Sequence, residues 1–168
     1  VKNSPRILRY WSVVVYFGVG FLLHLIWEHA QMPLYAGFPI EALGSRRAFM
    51  RCLYATATGD MLFMLTLYLT LAMVHENLVW PRDPATYSRP ATWVVPAFIG
   101  SLLAVTFELW AVYVAGRWKY DSMPVIPVLR VGLTPLLQMV LIPIATIGAC
   151  RWTVARCQRC GVPRSSTP

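Results

Sequence analysis

Residues 54–74 read YATATGDMLFMLTLYLTLAMV, and the fold class follows from this stretch. It is a continuous apolar run whose one charged residue is Asp60. About 20 such residues are needed for a helix to cross ~30 Å of hydrocarbon. A membrane strand would instead alternate polar and apolar positions, and this run does not. Three further segments have the same character: Trp11–Trp27, Trp93–Ala115 and Val131–Cys150. The chain of 168 residues is 57% hydrophobic and 13% charged, too apolar and too weakly charged for an ordinary soluble domain. The expectation is an all-α polytopic membrane protein: a four-transmembrane-helix bundle over residues 1–152, followed by a flexible basic cytoplasmic tail over 153–168.

The net charge of +8 would suggest nucleic acid as a partner in a soluble protein. Here the Lys and Arg residues sit in tails and loops, and no RNA- or DNA-reading motif is present, so that partner is set aside. Four helices put both termini on one side. That side carries Lys2, Arg6, Arg9, Arg82, Arg89, Arg151, Arg156, Arg159 and Arg164 against Arg46, Arg47, Arg51, Arg117, Lys119 and Arg130 on the other. The bias places the termini in the cytoplasm, with the protein in the inner (plasma) membrane of a bacterium. The basic lead-in to the first helix is not read as a signal peptide. The helix is long, contains His24 and Glu28, and lacks a small-x-small cleavage site before Gln31.

The connections divide by composition. Gln31–Leu53 starts as turns around Pro33, Gly37, Pro39 and Gly44, with room for a surface helix or re-entrant piece. His75–Thr92 is polar and rich in proline, as an exposed loop is. In Gly116–Arg130, Trp118 and Tyr120 fit an interfacial aromatic belt. Cys157-Gln158-Arg159-Cys160 supplies two thiols in the tail, whereas structural zinc needs four ligands, so it is read as part of a solvated tail. A faint echo relates Gly20, His24 and Glu28 to Gly100, Ala104 and Glu108, each set followed by a Met-Pro loop (Met32-Pro33, Met123-Pro124).

Each membrane segment carries polar residues: His24 and Glu28, then Asp60, Glu108 and Gln138. An acidic or basic side chain at a helix centre costs roughly 2.5–3.5 kcal/mol even on lenient scales. At 1.5 Å rise per residue, Asp60, Glu108 and Gln138 each lie ~9–10 Å from the outer ends of their helices, and His24 lies within the outer turns of the first. All five residues therefore occupy the outer half. His24 and Glu28 share a face as i,i+4 neighbours. Glu108 lies on a small-residue stripe of Gly100, Ala104, Ala111 and Ala115, which turns it into the bundle. Gln138 sits between Pro135 and Pro143, whose missing N–H groups free carbonyls near the same layer.

A lone polar residue in a membrane helix usually joins helices by hydrogen bonding. Three carboxylates exceed what one histidine can neutralise, so the rest hold a proton, a cation or a polar ligand. Two chemistries follow. A buried carboxyl can act as a general acid, with Glu108 or Asp60 supplying a proton and His24 and Glu28 completing the catalytic set. Alternatively His24, Glu28, Asp60 and Glu108 form an oxygen-rich ligand set for divalent iron, manganese or zinc. Met32 and Met123 would suit copper, but both precede proline in aromatic loops, where packing accounts for them.

Glu108 followed by Gly116-x-Trp118-x-Tyr120, a Met-Pro loop and Pro135 resembles the lycopene cyclase domain of small membrane-embedded, heterodimer-type cyclases and related carotenoid-modifying proteins. The resemblance runs over Glu108–Pro143. In that family a proline followed by paired acids opens the next helix, and the acids are thought to protonate the polyene. Leu137 and Gln138 stand at the paired-acid position here. The resemblance implies an isoprenoid or carotenoid substrate between helices, with Trp27, Trp118, Tyr120 and Gln138 as its binding residues. The alternatives are a non-catalytic subunit of a larger pigment- or redox-bearing membrane complex, in which Trp11, Trp27, Trp110 and Trp118 contact lipid or pigment, and a membrane metal-binding protein. The lipid bilayer is a partner in every case.

Overall fold

A computed structural model describes the backbone of residues 6–160 and the side chains of 11–159. Four helical spans are long and apolar enough to cross a membrane: Trp11–Leu34, Arg46–Val74, Ala91–Val114 and Leu133–Arg159. The first is α1 (Arg6–Gln31), extended by a 3-10 turn, Met32–Leu34. The second is composite: α2 (Arg46–Ala55), a π-helical turn at Thr56–Asp60, and α3 (Met61–Val74). The third is α4 (Ala91–Leu109), which passes into a second π-helical turn, Trp110–Val114. A small antiparallel hairpin follows, β1 (Val125–Ile126) with β2 (Val131–Gly132), pairing Val125 with Gly132 and Ile126 with Val131. The last span is α5 (Leu133–Cys160).

The all-α four-span architecture agrees with the sequence, and three boundaries differ. The second half of the first connection is helix, because Ser45 caps α2 by accepting a hydrogen bond from Ala48 N (3.1 Å) and α2 then runs to Ala55. α5 runs on through Cys160, beyond residue 153 where the tail was expected to start. Residues 161–168 of the expected tail lie outside the described residues. The connection 75–92 is no exposed loop. Trp80, Tyr87, Thr86 and His75 are buried in it, and with Tyr16, Met64, Leu71, Ile147 and Cys150 they close the end of the bundle near the termini. The indole of Trp80 donates to Tyr68 O (3.3 Å), so the loop is tied to α3 and not solvated.

Rows of buried residues four apart run along three spans: Ser12, Tyr16, Gly20 and His24 on α1; Ala48, Cys52, Thr56 and Asp60 on the second span; Thr92, Pro96, Gly100, Ala104 and Glu108 on α4. A strict i,i+4 row is a ridge inclined to the helix axis, and such ridges interdigitate. Where the small members fall, backbones meet: a Cβ on Gly100 would collide with the Met139 carbonyl of α5. Ala115, expected on this stripe, is exposed beyond the second π-turn.

Gly100→Ala should therefore destabilise the protein by about 1–3 kcal/mol, because the methyl overpacks the α4–α5 contact. Gly18→Ala, where nothing lies within 4 Å of the added methyl, should be neutral or slightly stabilising. Reversible unfolding in mixed micelles reads both, and equal effects would refute the close approach of α4 and α5.

His75 bonds Thr92 Oγ1 through Nε2 (3.0 Å). Burial, then Arg89, lowers its pKa from 6.5, with Asp83 acting the other way. The unfolded chain then binds the proton more readily, so His75 favours folding above 6.5 and stability is lost as pH falls below it. His75→Gln should flatten that slope between pH 6.5 and lower values; an unchanged slope would show that His75 does not contribute.

Candidate functional site

The buried ridge of α1 delivers His24 and, a turn later, Glu28 and Gln31 to the end of the bundle far from the termini. His24 is 0% exposed and Gln138 of α5 1%. Their side chains form a closed set of hydrogen bonds. The Gln138 amide nitrogen donates to His24 Nδ1 (3.0 Å) and to Glu28 Oε1 (3.1 Å). Gln31 Nε2 donates to Glu28 Oε1 and to Gln138 Oε1, both at 2.8 Å. Gln138 is thus the hub between α1 and α5. With Nδ1 accepting, the imidazole proton sits on Nε2, which has no hydrogen-bond partner. Leu137, one residue earlier, is on the outer face of α5 with 37% of its surface exposed.

The second span adds Asp60, whose Oδ2 lies 3.6 Å from His24 Nδ1; this buried pair is ionic when the imidazole is doubly protonated, the form in which Nδ1 donates in place of accepting from Gln138. Asp60 closes the π-turn Thr56–Asp60, and Thr56 is buried with it. A π-turn carries an extra residue per turn and so re-aims what it holds; such turns recur at functional sites. Thr56 Oγ1, Asp60 Oδ2, His24 Nε2 and Gln31 Oε1 are all buried without a hydrogen-bond partner. Ser12 Oγ, His75 Nδ1 and Thr146 Oγ1 are in the same condition elsewhere in the bundle, but in this layer the unmet atoms stand beside carboxylates and an imidazole, where such atoms are costly.

Glu108 enters from α4, two residues before the other π-turn. Its carboxylate accepts a hydrogen bond from the Tyr120 hydroxyl, and that hydroxyl accepts in turn from Gly132 N (2.9 Å). Tyr120 is held by pairing of the two connections at this end: Ala36 N donates to Lys119 O (2.9 Å) and Asp121 N to Leu34 O (3.0 Å). The pairing brings Tyr35 beside Tyr120, with ring centroids 6.1 Å apart, and beside Trp118 at the same separation. Burial pushes the Tyr35 phenol above its usual range, and Glu108, Glu28, Tyr120 and Asp60 all add to the shift. One hydroxyl therefore feels every carboxylate of the layer. Burial and then Glu108 likewise raise Tyr120.

His24, Glu28, Asp60, Glu108, Gln138, Trp118 and Tyr120, all named from sequence, converge at this end. Trp27 is half-buried beside Glu28 on α1 and takes no part in the hydrogen bonds among the described residues. Gln31 and Tyr35 were missed. Gln31 lies three residues after Glu28 on the same face, a signal that could have found it. Tyr35 follows a turn and is placed only by the distant 119–121 segment.

The four-residue metal set is not gathered. Among the described residues no three His, Cys, Asp or Glu side chains come together as a metal requires. The neutral amides of Gln31 and Gln138 occupy Glu28, and Tyr120 holds Glu108. Met32 and Met123 are buried packing residues, Met32 with Ala48 and Cys52 and Met123 accepting from Thr134 Oγ1 (2.9 Å). No protein family, curated protein or solved structure matches this chain.

Gln138→Leu should cost about 1–3 kcal/mol, because it strands His24, Glu28 and Gln31 at once. Leu137→Ala, on the exposed face, should cost far less. Equal losses in detergent unfolding would mean that the hub is misplaced.

Proposed function

We propose that this multi-pass membrane protein transfers protons to and from an uncharged, lipid-like substrate of isoprenoid type, with Glu108 as the proton donor. The observation that carries the reading is the layer itself: Glu28, Asp60 and Glu108 lie at one end of the bundle, with one imidazole and, among the described residues, no ammonium or guanidinium as a hydrogen-bond or ion-pair partner. Such a layer disfavours anionic ligands and favours positive charge that develops during reaction. Protonating a carbon–carbon double bond produces a carbocation, which the remaining carboxylates and the faces of Trp118 and Tyr35 would stabilise. Loss of a different proton to the Asp60 carboxylate leaves an isomerised or cyclised product, and passage of that proton from Asp60 through His24 back to the Glu108 carboxylate restores the protein. No oxidant or reductant is consumed.

The lycopene-cyclase resemblance belongs to this proposal. Its acid and its tyrosine, Glu108 and Tyr120, are in direct contact, which supports it. At the paired-acid position Leu137 faces outward and Gln138 is the amide hub, so the proton source shifts to α4.

The second reading, a non-catalytic subunit of a larger complex, draws on one observation. Gln138, Gln31, Glu28 and His24 satisfy one another across α1 and α5, as residues that merely join helices do. Incubation of the purified protein with lycopene in heavy water separates the two. Catalysis places deuterium on the polyene, Glu108→Gln lowers that incorporation by roughly 10²–10⁴-fold, and Tyr120→Phe lowers it less. Absence of incorporation by the wild type, with other membrane subunits co-purifying, would overturn the catalytic reading.

A further inference from the structure

A second feature lies outside the carboxylate layer, on the outer surface where α4 ends. A groove of about 420 Å³ is lined by Leu109, Trp110, Tyr113, Val128, Leu129 and Arg130. Its walls are apolar and open to the surroundings: Trp110 is 41% exposed and Val128, at the tip of the β1–β2 hairpin, 91%. An apolar hairpin tip beside the end of a membrane span belongs in the interfacial zone and not in water. Two guanidinium-bearing residues flank it. Gly116, in the left-handed conformation (φ 57°), ends the helix. Arg117 N then donates to Ala111 O (2.8 Å), and the Arg117 guanidinium folds back to 5.1 Å from the centre of the Trp110 ring. Arg130 is also left-handed (φ 56°), a conformation uncommon for a non-glycine residue. It is held there from both sides, its N donating to Ile126 O (2.7 Å) and its carbonyl accepting from Tyr113 Oη (2.8 Å). Among the described residues neither arginine has a carboxylate partner.

We propose that this groove is a binding site for an anionic phospholipid, with an acyl chain along Trp110, Leu109 and Leu129 and the phosphate between Arg117 and Arg130. An apolar slot rimmed by two unpaired guanidinium groups at the interface is complementary to that one amphiphile. Guanidinium grips phosphate by paired N–H donors, and basic residues at the interface draw acidic headgroups. A free phosphate would leave the slot empty, and a zwitterionic lipid would neutralise the guanidinium charge poorly.

The test is competition between phosphatidylglycerol and phosphatidylcholine for the full-length protein in nanodiscs, read as bound lipid by native mass spectrometry. The wild type should retain phosphatidylglycerol in preference. Arg130→Gln should cut that preference roughly 5-fold and Arg117→Gln/Arg130→Gln roughly 30-fold. Arg46→Gln/Arg47→Gln, exposed on α2 at the same end, should change it less than about 2-fold. Glycerol phosphate in excess should not displace the lipid. Equal loss in the Arg46/Arg47 pair would show diffuse attraction, and displacement by glycerol phosphate would show an anion site without a chain slot; either overturns the proposal. If the double variant does not fold, the two single variants, each on an exposed side chain, carry the same comparison. This result is independent of deuterium incorporation into a polyene.

Discussion

Inside hydrocarbon a hydrogen-bonding group has no water to turn to, and leaving one unmet costs several kcal/mol. The end of this bundle far from its termini is organised by that constraint. Four spans each bring polar groups there, and the groups are satisfied mainly by one another. α5 packs on both α1 and α4, so Gln138 can reach His24 and Glu28 on one side while Gly132, the last residue of β2 just before that helix, anchors Tyr120 and through it Glu108. The opposite end is closed differently, by an apolar plug of Trp80, Tyr87, Tyr16 and Tyr68. One end is thus built on aromatic packing and the other on a polar network, and the α1 row that carries Tyr16 at the first carries His24 at the second.

The two π-turns sharpen that division. Each lies next to an acidic residue, Asp60 at the end of one and Glu108 just before the other. Past Asp60 the four-residue row runs on through Met64, Tyr68 and Ala72, and Phe63, Leu67 and Leu71 join it on α3, so the buried face widens where the first π-turn ends. Past Glu108 the row breaks, with Ala111 buried and Ala115 exposed. Glu28 is occupied by two amides and Glu108 by a phenol, whereas Asp60 Oδ2 and His24 Nε2 keep unmet hydrogen-bonding capacity. An arrangement meant only to join helices would leave fewer such atoms in one place. The remaining capacity is what a proton or a polar part of a substrate would use.

Much of this was legible in the chain. Continuous apolar runs announce spans, and an isolated charge in such a run has to point inward, so Asp60, Glu108 and His24 could be placed by depth and face. Gln138 could be located but not ranked, because an amide's importance depends on which partners surround it. Its hub role rests on Gln31 and Glu28 of α1, more than a hundred residues away. Tyr35 was hidden for a related reason, since its place is set by strand-like pairing with Tyr120, which no local pattern reveals. The π-turns leave no periodic signature within Thr56–Asp60 or Trp110–Val114. The 75–92 connection was misread because its prolines and charges dominate its composition, while two aromatic side chains, Trp80 and Tyr87, decide where it packs.

The central claim is that Asp60, from a different span, shares one electrostatic layer with His24. A double-mutant cycle with His24→Gln and Asp60→Asn, read by reversible unfolding in mixed micelles, tests it directly. The account expects a coupling of at least about 1 kcal/mol between the two substitutions, as for residues in one hydrogen-bonded network. Additivity within about 0.3–0.5 kcal/mol would contradict it, because independent effects are what separate, non-interacting sites produce.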